Sequence, residues 1–191
     1  MSHALTFVDF RDDEWIAMSP AGAYTGTSEV ADRVGWVYDK PLEHFSFEQF
    51  SSTFRDPALI AARLRGEATD AGAAVARPPR VELVGAPVLD AGGHSARVRA
   101  RVSSSGRVET LRAFVEGRPV AERAVCAAEG EVTLDLPLLP GHNRLHLVAF
   151  DSRGFSSNPA TSAALAPRDP ARRPDVWVVA VGLSRYPRLP E

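Results

Sequence analysis

The sequence predicts a mainly β chain: an immunoglobulin-like β-sandwich preceded by an N-terminal β-hairpin and short-helix segment. Three observations predict it. Between residues 81 and 166, about seven short alternating runs follow one another with Gly, Ser, Asn or Pro between them, the pattern of a small antiparallel sandwich. Within those runs Ala96, Val98, Ala100 and Val102 alternate with Arg97, Arg99 and Arg101, so one face enters a core and three guanidinium groups line the other. Helical spacing is confined to two short stretches between residues 46 and 66.

Leu5–Phe10 alternates as a strand, Arg11–Glu14 is a polar turn, and Trp15–Met18 is a second apolar run, which together read as a hairpin. Ser19–Gly22 ends it with turn chemistry, Ala23–Ser28 reads as an irregular or edge strand, and Arg33–Tyr38 is a further apolar run. Ser46 and Gln49 form a Ser-x-x-Gln capping box, in which each side chain satisfies a free amide of the other residue. Phe47, Phe50 and Phe54 then lie on one stripe of a short helix and must be buried. Asp56 caps the next helix, Pro57 suits its first position and Gly66 its exit; Leu59, Ile60 and Leu64 are its expected apolar face, with Arg63 and Arg65 in water.

Residues 67–80 carry small residues, Gly and a double Pro, which is linker composition. The sandwich strands expected after it are 81–84, 95–102, 108–116, 120–124, 131–136, 143–150 and 156–165. Turns fall at Ser103–Gly106, Gly117–Pro119, Leu138–Gly141 and Asp151–Gly154. With Cys126 as the only cysteine, no internal disulfide joins the sheets, and packing alone holds them. Residues 167–174 read as a second linker. Val176–Val181 reads as a strand buried on both faces, the first strand and turn (175–191) of an α/β domain whose other strands lie elsewhere.

Composition narrows the function classes. The chain has 191 residues, 45% hydrophobic and 24% charged, which is globular composition. Residues 1–75 hold 6 basic and 12 acidic side chains and residues 76–191 hold 16 and 12, a sign change that supports two units near residue 75. The net charge of −2 gives no reason to expect nucleic acid, and no apolar run is long enough for a membrane helix. With no secretory signal pattern at the start, the expected location is cytoplasmic.

Three separated segments resemble one family. Glu14-Trp15-Ile16-Ala17-Met18-Ser19-Pro20-Ala21-Gly22-Ala23-Tyr24 resembles the Glu-Trp-x-x-x-Thr/Ser-Pro-x-Gly-x-Tyr segment that comes after WD-repeat propellers in large bacterial proteins, and Gly35-Trp36 sits where that family has a Gly/His-Trp pair. Pro140–Leu145, with Ala149 and Asp151–Gly154, resembles the late strands of a bacterial immunoglobulin-like insert. Val179–Tyr186 resembles the first strand and turn of bacterial caspase-like cysteine peptidases. The resemblance implies a parent that cleaves peptide bonds with a Cys/His pair, the thiolate attacking the carbonyl. In the family both catalytic residues lie beyond the first strand, so none is carried over to this chain. The expected role is a non-catalytic spacer, docking or regulatory region, whose partners are its own protease domain and a WD-repeat propeller. The alternative is an adhesive or carbohydrate- or protein-binding sandwich unrelated to proteolysis.

Other candidate chemistry is weak, and neither a cofactor nor a metal is expected. Cys126 lies near the end of an expected strand and reads as an ordinary thiol. His142 and His146 share a strand face, about 13 Å apart at ~3.3 Å per residue, too far for one metal ion. Asp12-Asp13-Glu14 reads as an exposed acidic turn, and Trp15 and Trp36 as core. The arginine row Arg97, Arg99 and Arg101 remains the possible interaction face.

Overall fold

A computed structural model describes residues 5–10, 12–67, 75–168 and 178. The expected C-terminal strand at 176–181 lies outside the described residues apart from Val178, which is exposed.

The N-terminal unit is built from two small sheets and short helices. Strands β1 (Thr6–Asp9), β2 (Trp15–Met18) and β3 (Tyr24–Gly26) pair antiparallel in that order. The register Phe7↔Ala17 and Val8↔Ile16 puts Val8, Ile16 and Met18 on one face, over Tyr24, Val30 and Phe47. The other face meets Ile60 and Leu59 of a later helix and leaves Phe7 stacked on Trp15 at 5.7 Å, 64% exposed. Helix α1 (Val30–Arg33) is one turn long and buries Val30 and Ala31. Strands β4 (Gly35–Asp39) and β5 (Leu42–Ser46) form a hairpin, of which β5 was not legible in the sequence.

The capping box at Ser46 and Gln49 is present, with the Ser46 amide donating to Gln49 Oε1 at 2.8 Å. It opens a 3-10 turn, Phe47–Phe50, that runs into helix α2 (Ser51–Phe54), rather than one α-helix. The three phenylalanines therefore do not share a stripe. Phe47 enters the β1–β3 core, whereas Phe50 joins a separate aromatic cluster with Phe45 and Phe155. Helix α3 (Pro57–Leu64) starts as expected: Asp56 accepts from the Leu59 amide at 2.8 Å, Pro57 opens the first turn, and Gly66 leaves with φ +74°. Ile60 is buried, but Leu64 is 73% exposed, contrary to expectation. The helix packs on the three-residue strand β3, and its last turn runs past that support.

The second unit is an antiparallel β-sandwich. Its strands are β6 (Arg80–Leu83), β7 (Val88–Leu89), β8 (Ser95–Val115), β9 (Arg118–Pro137), β10 (Gly141–Asp151) and β11 (Ala160–Ala166). Two of these, β8 and β9, each run through two of the expected strands. The expected turn at Ser103–Gly106 is instead a bend within β8, where its pairing with β9 shifts register between Ser103 and Val108. Because both strands of this long hairpin bend together, each contributes to both layers. One layer holds β6, β7, the first half of β8 and the second half of β9. The other holds the remaining halves with β10 and β11. The layers close on each other, bringing β6 within 8 Å of β10 and β11 between Cα atoms. The hairpin tip is Glu116-Gly117, both with positive φ (50° and 76°), which matches the twist of a two-residue turn.

The core is a product of the alternation. Ala96, Val98, Ala100 and Val102 from one layer meet Leu111, Ala113 and Val115, with Leu145, Leu147 and Ala149, from the other. Alanines recur at these positions, which suits close-packed layers. The expected tight turn at Asp151–Gly154 is present, closed by the Gly154 amide on Asp151 O at 2.9 Å and flanked by a single antiparallel bridge between Phe150 and Ser156, but the connection runs on through residues 152–159 and β11 starts only at Ala160.

Candidate functional site

The arginine row has the predicted geometry and a different electrostatic setting. Arg97, Arg99 and Arg101 are all exposed on the outer face of β8. Register places Arg97 opposite Asp135, Arg99 opposite Thr133 and Arg101 opposite Glu131. Arg97 Nε donates to Asp135 Oδ1 at 2.8 Å, and Arg101 Nη2 to Glu131 Oε1 at 2.8 Å. These hydrogen bonds hold both guanidinium groups even further above their usual protonation range. Among the described residues Arg99 has no ion pair, so the row offers one unpaired cation between two neutralised ones. A face so balanced sits in water readily and attracts an acidic surface only weakly.

The other sequence candidates are not brought together. Cys126 is a free, exposed thiol with φ +55°, its Sγ 3.9 Å from Glu109 Oε2. His142 and His146 lie on β10, opposite Leu165 and Thr161 of β11. Asp12 pairs with Arg33 at 2.5 Å, which lowers the Asp12 pKa, and Glu14 accepts from the Thr27 hydroxyl. Trp15 and Trp36 are partly buried against their clusters. No group of three His, Cys, Asp or Glu side chains among the described residues is arranged to hold a metal.

The two ends of the sandwich carry the more specific arrangements. The chain enters β6 at Arg80, opposite Ser103 of β8. Just before it, Arg77 lies over the Tyr38 ring at 4.8 Å and 3.6 Å from Glu43, while the Tyr38 hydroxyl donates to Val75 O at 3.1 Å. The 152–159 connection meets the N-terminal unit at this end. Its Phe155 is 2% exposed and lies 4.9 Å from Phe50 and 5.8 Å from Phe54, ring to ring. The chain leaves the sandwich at Ala166, opposite Gly141 at the start of β10. There a Cβ on Gly93 would lie 2.4 Å from Pro167 Cδ, and one on Gly141 2.4 Å from Arg168 Nε, so these two positive-φ glycines make room for the departing chain.

Sequence reasoning did not single out Phe155 or Gln49 at this junction. The available signal was a large aromatic in a polar connection, Ser-Arg-Gly-Phe-Ser-Ser, where a loop left in water has no use for one.

No family model matches the sequence, and none of the curated proteins matches it. Among solved structures, the chain is similar to a fibronectin(III)-like module of Clostridium thermocellum CbhA, with 19% identity over 46% of this chain and 97% of that one, at a TM-score of 0.37. It is similar to the CARDB domain of the PF1109 protein of Pyrococcus furiosus, with 15% identity over 51% of this chain and 100% of that one, at a TM-score of 0.36. A third likeness, to OgpA of Akkermansia muciniphila, has 17% identity over 44% of this chain and 28% of that one, at a TM-score of 0.35. The fold itself is read from the strands: a mainly β chain whose second unit is an immunoglobulin-like β-sandwich.

Proposed function

We propose that this chain is a non-catalytic spacer: it carries its N-terminal unit at one end of a β-sandwich and hands the polypeptide on, at the other end, to a caspase-like peptidase domain. The observation that carries the spacer reading is the position of the two ends. Entry at Arg80 and exit at Ala166 are set by pairings at opposite ends of the strands: Arg80 with Ser103 at the bend of β8, Ala166 with Gly141 at the start of β10. An eleven-residue strand such as β10 spans about 35 Å at ~3.3 Å per residue. The peptidase part rests on the resemblance of Val179–Tyr186 to the first strand of that family and on the Glu14–Tyr24 segment. The entry-end loops that an adhesive sandwich would offer a ligand are engaged with the N-terminal unit through Phe155, which favours spacing over adhesion.

The test has three arms. The purified chain should turn over no peptide, and turnover would overturn the non-catalytic assignment. In the gene, codons beyond Glu191 should encode a histidine and then a cysteine, each after a buried strand; absence of both would remove the peptidase partner. Glycan binding that is lost on Arg97→Ala would instead establish the adhesive alternative.

A further inference from the structure

We propose that the connection from Ser152 to Pro159 is an orientation lock: Phe155 leaves its own sandwich, completes the core of the N-terminal unit, and fixes that unit at one angle on the sandwich end. The lock deepens the spacer reading and rests on it for its purpose, while its geometry stands alone.

Phe155 is absent from the sandwich core and belongs to the cluster of Phe45 and Phe50. The sandwich closes without it. The N-terminal unit does not, because Phe50 is fully buried with Phe155 as its nearest ring. The connection is stiff before it docks. Asp151, its side chain fully buried, accepts from the amides of Arg153 and Phe155, each at 3.0 Å, and from the Arg153 guanidinium at 2.5 Å. That guanidinium also lies over the Phe155 ring at 4.7 Å. Gly154 turns the chain at φ +80°, and a Cβ there would lie 2.7 Å from Ser52 Oγ. A loop ordered in advance gives up little entropy on seating, so one ring and a few hydrogen bonds suffice to hold it.

The polar contacts around the ring set direction. Gln49 Nε2 donates to Ser156 O at 3.0 Å, and the Ser156 amide donates to Gln49 O at 3.2 Å. Asn158 Nδ2 donates to His44 O at 3.1 Å, and the Thr53 hydroxyl to Arg153 O at 3.0 Å. Gln49 thus has two tasks on one amide group: its oxygen caps the turn that opens at Ser46, and its nitrogen holds the sandwich. Seating of the loop and formation of the Phe47–Phe50 turn are therefore coupled.

The whole 191-residue chain serves for the test. Trp15 and Trp36 lie in the N-terminal unit and Cys126 in the sandwich, so Trp177→Phe leaves two donors and one thiol for an energy-transfer acceptor. In this background transfer should be strong and narrowly distributed. Phe155→Ala should broaden and lower it, and should move the tryptophan-detected urea transition to lower urea while the sandwich, tracked by hydrogen exchange of the β8 and β10 core amides, keeps its midpoint. Gln49→Ala, a milder change that leaves both cores intact, should give the same separation to a smaller degree. Unchanged transfer in both variants would overturn the lock. So would a Phe155→Ala chain in which both probes shift together, since Phe155 would then be an ordinary member of one common core. Neither reading involves peptide turnover or the codons beyond Glu191, so the lock and the spacer assignment fail separately.

Discussion

Arg97 and Asp135 stand directly opposite each other on β8 and β9, with Nε and Oδ1 2.8 Å apart, and two residues further along the strand Arg99 faces Thr133 with no carboxylate to meet. Both members of the first pair are more than half exposed. An exposed cross-strand pair contributes little to stability, and less at high salt. Arg97→Ala should therefore lower the urea midpoint slightly, with the loss shrinking between about 50 mM and about 1 M salt as screening rises. Arg99→Ala should leave the midpoint unchanged within error. A large loss from Arg99→Ala would mean that this outer face is covered in solution.

Tyr24 buries its ring in the β1–β3 core and donates its hydroxyl to Phe47 O at 3.1 Å. Burial pushes its pKa up to about 12. The neutral phenol is thus favoured in the folded chain, and the unfolded chain releases the proton first, near pH 10. Stability from this group is full below pH 10 and falls as pH rises from there through about 12. An absorbance titration at alkaline pH should show two late-ionising tyrosines, Tyr38, which burial also raises, and Tyr24, and Tyr24→Phe should remove the step near 12 at a cost of about 1 kcal/mol.

Ser19 is buried, and its hydroxyl has no partner among the described residues. Its backbone is used in the turn: the carbonyl accepts from the Gly22 amide, and the amide donates to Ala23 O. Removing an unsatisfied buried hydroxyl relieves a desolvation penalty. Ser19→Ala should be neutral or stabilising by up to about 1 kcal/mol. A clear loss of stability in a thermal melt would show that the hydroxyl has a partner in solution.

Gly26 and Gly35 leave no room for a side chain. A Cβ on Gly26 would sit 2.4 Å from Trp15 O, and one on Gly35 would sit 2.2 Å from Phe45 O. Both collisions are with backbone held in a strand ladder, so neither neighbour can swing away. Each Gly→Ala change should cost about 1–3 kcal/mol by overpacking, read as a lower urea midpoint. Gly66→Ala meets no atom within 4 Å, and its cost should come only from the strained φ of +74°, about 1 kcal/mol.

What the residues revealed in advance divides along physical lines. Alternation at Ala96–Val102 and the Asp56-Pro57 cap are local signals, and the strand face and helix start they imply are present. The bend in β8 was hidden because Ser103–Gly106 has turn composition, and only pairing with β9 keeps it in the ladder. Strand β5 was hidden because Leu42–Ser46 carries Glu43 and His44 and is recognisable only by its partner β4. The arginine row was legible as a face but not as a neutral one. Its carboxylates, Glu131 and Asp135, are set by register with a strand 30 and 38 residues away from the arginines they meet, which periodicity within one run cannot report.

Asn143 is hidden by the same limit. On sequence it is the polar first residue of a strong strand; in the fold it is fully buried at the exit end of the sandwich. Its side chain replaces the backbone partners that the β9–β10 connection lacks. Nδ2 donates to Leu139 O at 2.7 Å and to Gly141 O at 2.8 Å, while Oδ1 accepts from the Leu139 amide at 2.8 Å. Asn143→Ala would strand the buried Gly141 carbonyl at about 1–3 kcal/mol, while water can take over part of the loss at the amide and carbonyl of the exposed Leu139. Asn143→Asp keeps the acceptor but has no N–H for the two carbonyls, and its charge is buried. Asn143→Asp should therefore be at least as damaging as Asn143→Ala at neutral pH and should recover part of the loss on acidification, when the carboxyl gains a proton to donate. Urea midpoints at about pH 7 and about pH 4 for the two variants check this. An Asn143→Asp chain as stable as the parent at neutral pH would mean that the 138–141 connection does not depend on these donors.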